Sequence, residues 1–374
     1  MIRRAFLNSV MAGTAGLMLE GKTRKHLPPK ASGPVSVSPK ALALHQEAIL
    51  IDGHNDSLIE HWARKDSYDL GRDLPAYHVD LRRMKAGGLT AMNSMIGDTD
   101  LVQSLELWSG MHENLEGHPA DFLLMNDPSD IERAKSEGKI ALIGQLEGCS
   151  LLHNNLRVLR EMRRLGLRVA GLTHGQGGGE FDLQGTKSSF GYCAQSDRDR
   201  ARREMNGLTE FGRAAVRECN RLGIVVDVVH TNDAAFFEAI ELSKTPVQFS
   251  HGAVFALSPH WRNLTDDQLK ALAANGGVIG IAPYSDFIDP VAEKRNMRRV
   301  VDHIEYVCER IGDDHVGFGS DYDGTPTTLL IPSYADTPQL TQLMLERGFS
   351  EETILKFWGE NFLRTLRRAK SPAA

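Results

Sequence analysis

No two of the four cysteines, Cys149, Cys193, Cys219 and Cys308, stand close enough to form a C-x-x-C pair. That spacing excludes a zinc ribbon and offers no disulfide framework, so mostly buried thiols are expected. Basic stripes interleaved with aromatics are absent as well. Aromatic residues make up 7% of the 374 and the formal net charge is -6, so nucleic acid is not an expected partner. Beyond the first twenty residues no apolar stretch approaches the roughly twenty residues that cross a membrane. No internal repeat is present, and the glycine-rich "HGQGGGEFDLQG" at 174–185 follows no phosphate-loop pattern. It reads as a mobile loop over a mouth.

The first twenty residues differ from the rest. "MIRRAFLNSVMAGTAGLML" sets Arg3 and Arg4 before a weakly apolar stretch and resembles a twin-arginine export signal, with no A-x-A site after it. The expected location is periplasmic or otherwise exported, with the cytoplasm as the alternative; cleavage and retention as an anchor both stay open. A Pro/Ser-rich link, "LPPKASGPVSVSPK", comes next. The expected layout is leader and linker over 1–40 and a single domain over 41–374, ending in helices.

From residue 45 short β-rich runs alternate with stretches of helical length, the pattern of a parallel α/β architecture. The runs lie at 48–52, 89–95, 140–147, 168–174, 224–230, 247–251, 278–284 and 316–321. Between them "NNLRVLREMRRLG", "LTEFGRAAVRECNRLG", "DAAFFEAIELS" and "RRVVDHIEYVCERIG" read as helices, and "LTDDQLKALAANGG" has Thr265 as its N-cap. Eight runs with helices between them favour a (β/α)8 TIM-type barrel.

The ends of those runs carry the chemistry. His54 and Asp56 stand just past the first, Glu147 closes the third, His174 the fourth, His230 the fifth, His251 the sixth and Asp321 the eighth. A barrel gathers such residues at its C-terminal face. Taken singly, each has a bland reading as a hydrogen-bonded structural residue or a cap. Seven at the ends of six strands point instead to a site. His54, His230, His251, Asp56 and Glu147 suffice for two divalent ions if Glu147 bridges, and such a pair holds a hydroxide and polarises a carbonyl. His174 and Asp321 remain for oxyanion support and proton transfer. His61, His78, His112, His118, His153, His260, His303 and His315 have no matching position and are expected to be surface or structural.

"DGHND" (52–56), "QLEG" (145–148), "GLTH" (171–174), "GLTEFGRAAVRECNRLGIVVDVVH" (207–230), "SH" (250–251), "RNLTDDQL" (262–269) and "DHVGFGSDYDG" (314–324) together resemble the membrane dipeptidase family, also called renal dipeptidase, in order from about residue 44 to 366. The resemblance implies a metal-dependent, amidohydrolase-like barrel with two zinc ions per chain that hydrolyses dipeptides. His54 and Asp56 match the ligands of one zinc, His230 and His251 those of the other, and Glu147 the bridge. His174 matches the residue near the scissile carbonyl, Asp321 the proton carrier and Arg262 the arginine that holds the substrate's terminal carboxylate. A guanidinium grips a carboxylate bidentately, so Arg262 would measure substrate length. The family also implies tolerance of a C-terminal D-residue and a homodimer.

Two departures stand out. Gly175, Gln176 and Gly177 to Gly179 replace asparagines common in bacterial relatives, and Glu360 in "WGENF" replaces a glycine. The first leaves room for a binuclear amidohydrolase retargeted to a modified peptide or another amide or lactone, or for a binding protein that keeps the fold. No lysine stands at the strand ends to serve as a carbamylated bridge.

Overall fold

The nine strands of the sheet are β1 (Leu50–Asn55), β2 (Leu89–Met95), β3 (Phe122–Leu124), β4 (Ile140–Leu146), β5 (Leu167–Gly171), β6 (Val225–Asp227), β7 (Gln248–Gly252), β8 (Val278–Ile281) and β9 (Val316–Phe318). They belong to a computed structural model that describes residues 35–177, 179–325 and 329–370. The expected leader, and the linker as far as residue 34, lie outside the described residues. All strand pairings are parallel. The ring β1, β2, β4, β5, β6, β7, β8, β9 closes on itself through the β1–β9 and β2–β4 pairings. With helices between the strands, this is a (β/α)8 TIM-type barrel.

The eight expected runs are the eight barrel strands. β3 is an addition, a three-residue strand that pairs with the start of β4, Phe122 opposite Ile140. Several strands end earlier than their apolar runs. β6 stops at Asp227 and β9 at Phe318, because the chain turns into the left-handed region at His230 (φ 63°) and Asp321 (φ 57°). Such strain in non-glycine residues concentrates at functional sites. β1 shows the opposite difference, running on to Asn55 with a break in register between Asp52 and Asn55. His54 is therefore inside the strand, at an irregularity of the kind that re-aims a side chain.

The helices form where their signals stand. Thr265 caps Asp266–Asn275 in a capping box closed by Gln268. Thr209 caps Glu210–Leu222, which ends at Gly223 in the left-handed conformation.

Adjacent residues of the strands feed two apolar clusters. Leu50, Met92, Leu142, Ala170, Val226 and Ile279 pack with the surrounding helices. Their neighbours Ile51, Ala91, Ile143, Val169, Val225 and Val278 point the other way, into the barrel, and join Phe362, Leu363, Leu366 and Ala369 of the helix Asn361–Lys370. That helix closes the N-terminal end of the barrel. A Cβ on Gly53 or Gly317 would come within 2.7 Å or 2.5 Å of the Phe362 ring, so glycine at both positions makes room for it. Only Cys149 and Cys219 of the four cysteines are buried; Cys193 and Cys308 are half-buried, which corrects the expectation of mostly buried thiols.

Candidate active site

Above the apolar floor the barrel interior turns polar, with Asn93, Gln145, Asp227 and Gln248 all buried. In the sequence these residues stand inside or beside apolar runs. They support the layer above them, where the expected site residues meet.

Glu147, one residue past β4, is the hub. Its Oε1 stands 3.0 Å from His230 Nε2, 3.5 Å from His54 Nε2 and 3.8 Å from His251 Nε2. Its Oε2 stands 3.3 Å from His174 Nε2. Asp56 Oδ2 lies 3.2 Å from His54 Nε2. The His54 and His251 rings stack at 4.2 Å. Four imidazoles therefore present the same nitrogen to one carboxylate.

Their other nitrogens are all engaged. His174 Nδ1 donates to Asp98 Oδ2 at 2.6 Å and His230 Nδ1 to the Gly175 carbonyl at 3.0 Å. His251 Nδ1 pairs with Ser250 Oγ at 3.0 Å, and His54 Nδ1 donates to Gln145 Oε1 at 2.8 Å. The Gln145 orientation is fixed by its second contact: its Nε2 donates to Asp227 Oδ2 at 3.0 Å, which leaves the carbonyl for His54. For His54, His230 and His251 a proton-bearing Nδ1 leaves the Nε2 lone pair free, as a metal-binding histidine requires.

Donor chemistry fits divalent metal. Two ligands held about 2.0–2.2 Å from a tetrahedral zinc lie about 3.3 Å apart, and the Glu147 contacts span that spacing. Buried Asp56 Oδ1 has no hydrogen-bond partner in the protein. Three sets, His54–Asp56–Glu147, Glu147–His174–His230 and His54–His251–Asp321, each have their ligand atoms within 4.8 Å of one another. The last two sets place His174 and Asp321 at ligand distance too, so geometry alone does not separate a ligand from a proton carrier.

Gly324 completes the cup. A Cβ there would sit 1.9 Å from Asp56 Oδ2 and 2.7 Å from Asp321 Oδ1. We predict that Gly324→Ala lowers the affinity of the cluster for a divalent metal by about tenfold or more, read by chelator competition; unchanged affinity would show that the two carboxylates need no such room.

Electrostatically the cluster is a web of opposed charges. Burial disfavours the Glu147 carboxylate, yet His174 and His54 outweigh it and hold it well below the usual carboxylate range. Burial, with Asp56 nearby, pushes Asp321 up to about 8. For His174 burial is overcome by Glu147 and Asp98, which raise it to about 9. Burial and the Arg262 charge take His230 down to about 3.

A cavity of about 270 Å³ opens on the cluster, small for a ligand site. Glu147, His174, His230, His251, Asp56, Asp321 and Arg262 line it, with Met95, Phe190, Tyr284 and Phe287. Arg262 is 5% exposed, and its Nε and Nη1 have no partner. A buried guanidinium left unpaired is costly, so an anion is the ligand expected there. His260, one of the histidines without a matching position in the sequence, is buried, and its Nδ1 accepts the Arg262 backbone N–H at 3.1 Å beside the Phe190 and Phe287 rings.

In the glycine-rich segment after His174, Gly175 supplies the carbonyl that holds His230. Sequence reasoning assigns no role to Asp98, Gln145, Asp227 or His260. Gln145 and Asp227 are visible there only as polar residues inside strand runs.

The family model for membrane dipeptidase, peptidase family M19, matches residues 39–374. The chain belongs to the membrane dipeptidase family. Among characterised relatives, dipeptidase tcpJ of Claviceps purpurea is 33% identical over 86% of this chain and 77% of its own length. Dipeptidase verJ of Clonostachys rogersoniana is 32% identical over 87% and 86%. Among solved structures, dipeptidase AC, a metallopeptidase of family M19, superposes with a TM-score of 0.77 at 26% identity, covering 86% of this chain and 99% of that one. A Rhodobacter sphaeroides metallopeptidase liganded with a phosphinate mimic of the dipeptide L-Ala-D-Ala gives 0.74 at 25% identity, with coverage of 86% and 99%. As a membrane dipeptidase family member, the chain is a metallo-dipeptidase, a hydrolase with peptide substrates. Among the described residues no helix is long and apolar enough to cross a membrane.

Proposed function

We propose that this family member is a zinc dipeptidase selective for free dipeptides, and the observation that carries the proposal is Arg262. Its guanidinium, with Nε and Nη1 unpartnered, shares one small cavity with Glu147 and Asp321. The cavity's volume of about 270 Å³ favours a substrate no longer than a dipeptide anchored there by its terminal carboxylate.

His54 and Asp56 would hold one zinc, His230 and His251 the other, with Glu147 shared between them. Ions so held supply Lewis acidity toward the scissile carbonyl and acidify a water enough to attack it near neutral pH. His174, fixed by Asp98, donates Nε2–H toward the carbonyl oxygen as it gains charge. Asp321 takes the proton released in the attack and delivers it to the leaving amine. Met95 and Phe190 line the cavity and exclude water from part of it. Because the Rhodobacter sphaeroides relative binds a mimic of L-Ala-D-Ala, dipeptides with a C-terminal D-residue belong in the substrate class.

The test is metal content of the purified protein together with hydrolysis of L,L and L,D dipeptides and a tripeptide, before and after chelation. About two zinc per chain is expected, with dipeptide cleavage lost on chelation and restored by zinc, and the tripeptide left intact. Two ions without dipeptide cleavage would keep the metal centre and overturn the substrate.

A further inference from the structure

Asp227 ends β6, wholly buried, and takes no part in the reaction as proposed. Its two oxygens divide their work. Oδ2 accepts from Gln145 Nε2 at 3.0 Å, and the carbonyl of that amide receives His54 Nδ1–H at 2.8 Å. Oδ1 accepts two backbone N–H groups at 3.1 Å each, from Val229, the residue before His230, and from Ser250, the residue before His251. The Ser250 hydroxyl reaches His251 Nδ1 at 3.0 Å.

We propose that Asp227 is the positioning residue for both halves of the metal centre, one carboxylate that fixes His54, His230 and His251 together. The inference rests on the assignment of those histidines as ligands. A wholly buried carboxylate in a barrel interior costs more than an apolar residue of the same size unless its acceptors are all used. Here they are used, and every donor leads to a candidate ligand. His230 sits in a left-handed turn three residues after Asp227. The Val229 N–H bond to Asp227 is one of the contacts that hold that strained turn in place, with the Ser188 hydroxyl on the His230 carbonyl. Partners behind a metal-bound histidine set its ring orientation and basicity, and their loss costs about 10- to 100-fold in metal affinity. Gln145, by contrast, serves His54 alone.

The experiment is zinc affinity by chelator competition on the full chain, with the visible spectrum of the cobalt-loaded protein and the melting temperature of the metal-free form. Asp227→Asn is expected to weaken both zinc sites by about 10-fold or more and to shift the cobalt spectrum. Gln145→Met should weaken one site, and Ser250→Ala the other. These single-site variants keep the proposal testable if Asp227→Asn folds poorly. Wild-type affinities in Asp227→Asn, or loss confined to one site, would overturn the joint role, as would Gln145→Met and Ser250→Ala affecting the same site. A wild-type chain that binds fewer than two ions would instead overturn the ligand assignment beneath it.

Discussion

Asp321→Asn is expected to lower kcat by about a thousandfold while the protein keeps its wild-type metal content and nearly its original KM. Asparagine has the shape of aspartate but cannot exchange a proton at working pH, so the substitution separates proton transfer from geometry. Asp321 is 7% exposed, lines the cavity with the histidines, and is held in its left-handed turn by the bond from its N–H to the His54 carbonyl at 3.2 Å. That backbone bond survives the change. Metal analysis of the same sample decides the remaining ambiguity, because Asp321 also lies at ligand distance from His54 and His251. Unchanged metal content with lost turnover makes it the proton carrier. Loss of one ion makes it a ligand, and activity within tenfold of the wild type removes it from the chemistry.

Arg262→Met should raise KM for a dipeptide by about a hundredfold, with a smaller change in kcat. A buried charge-assisted pair contributes on the order of 3 kcal/mol when one partner is removed, which is about a hundredfold in affinity. Methionine keeps much of the apolar stem against the Phe287 ring, over which the guanidinium stands at 5.4 Å. A dipeptide amidated at its C-terminus provides the control. Wild type and variant should hydrolyse it equally slowly, because it lacks the carboxylate proposed to pair with Arg262. If the variant discriminated against the amide as strongly as the wild type does, the carboxylate would be read elsewhere.

The barrel strands and the converging histidines and carboxylates are legible in the sequence because both depend on local order. Apolar runs mark strands, and the residues just past each run mark one face of the barrel. Arg262 is legible only through family resemblance, since nothing near "SPHWRNL" distinguishes a buried receptor from a surface arginine. Asp98 and His260 are not legible at all. Each acts on a residue distant in sequence or turned by a loop, 76 positions away for the Asp98–His174 contact, and no periodicity encodes that. β3 escapes for a different reason, being three residues long and too short to show alternation. The early ends of β6 and β9 come from left-handed turns at His230 and Asp321, which a histidine or aspartate in a sequence does not announce.

The helix Asn361–Lys370 that floors the barrel sets a schedule for folding. Phe362 fits against Gly53 and Gly317, and Thr365 accepts from Gln248 Nε2 at 2.7 Å, so the interior of every earlier strand waits for a segment that ends about fifty residues after β9. At roughly 5–20 residues per second, a ribosome takes several seconds to make that stretch. Through that interval His54, Glu147, His230 and His251 already exist on a nascent chain whose core is still open from below, so their cluster closes only after this helix has docked.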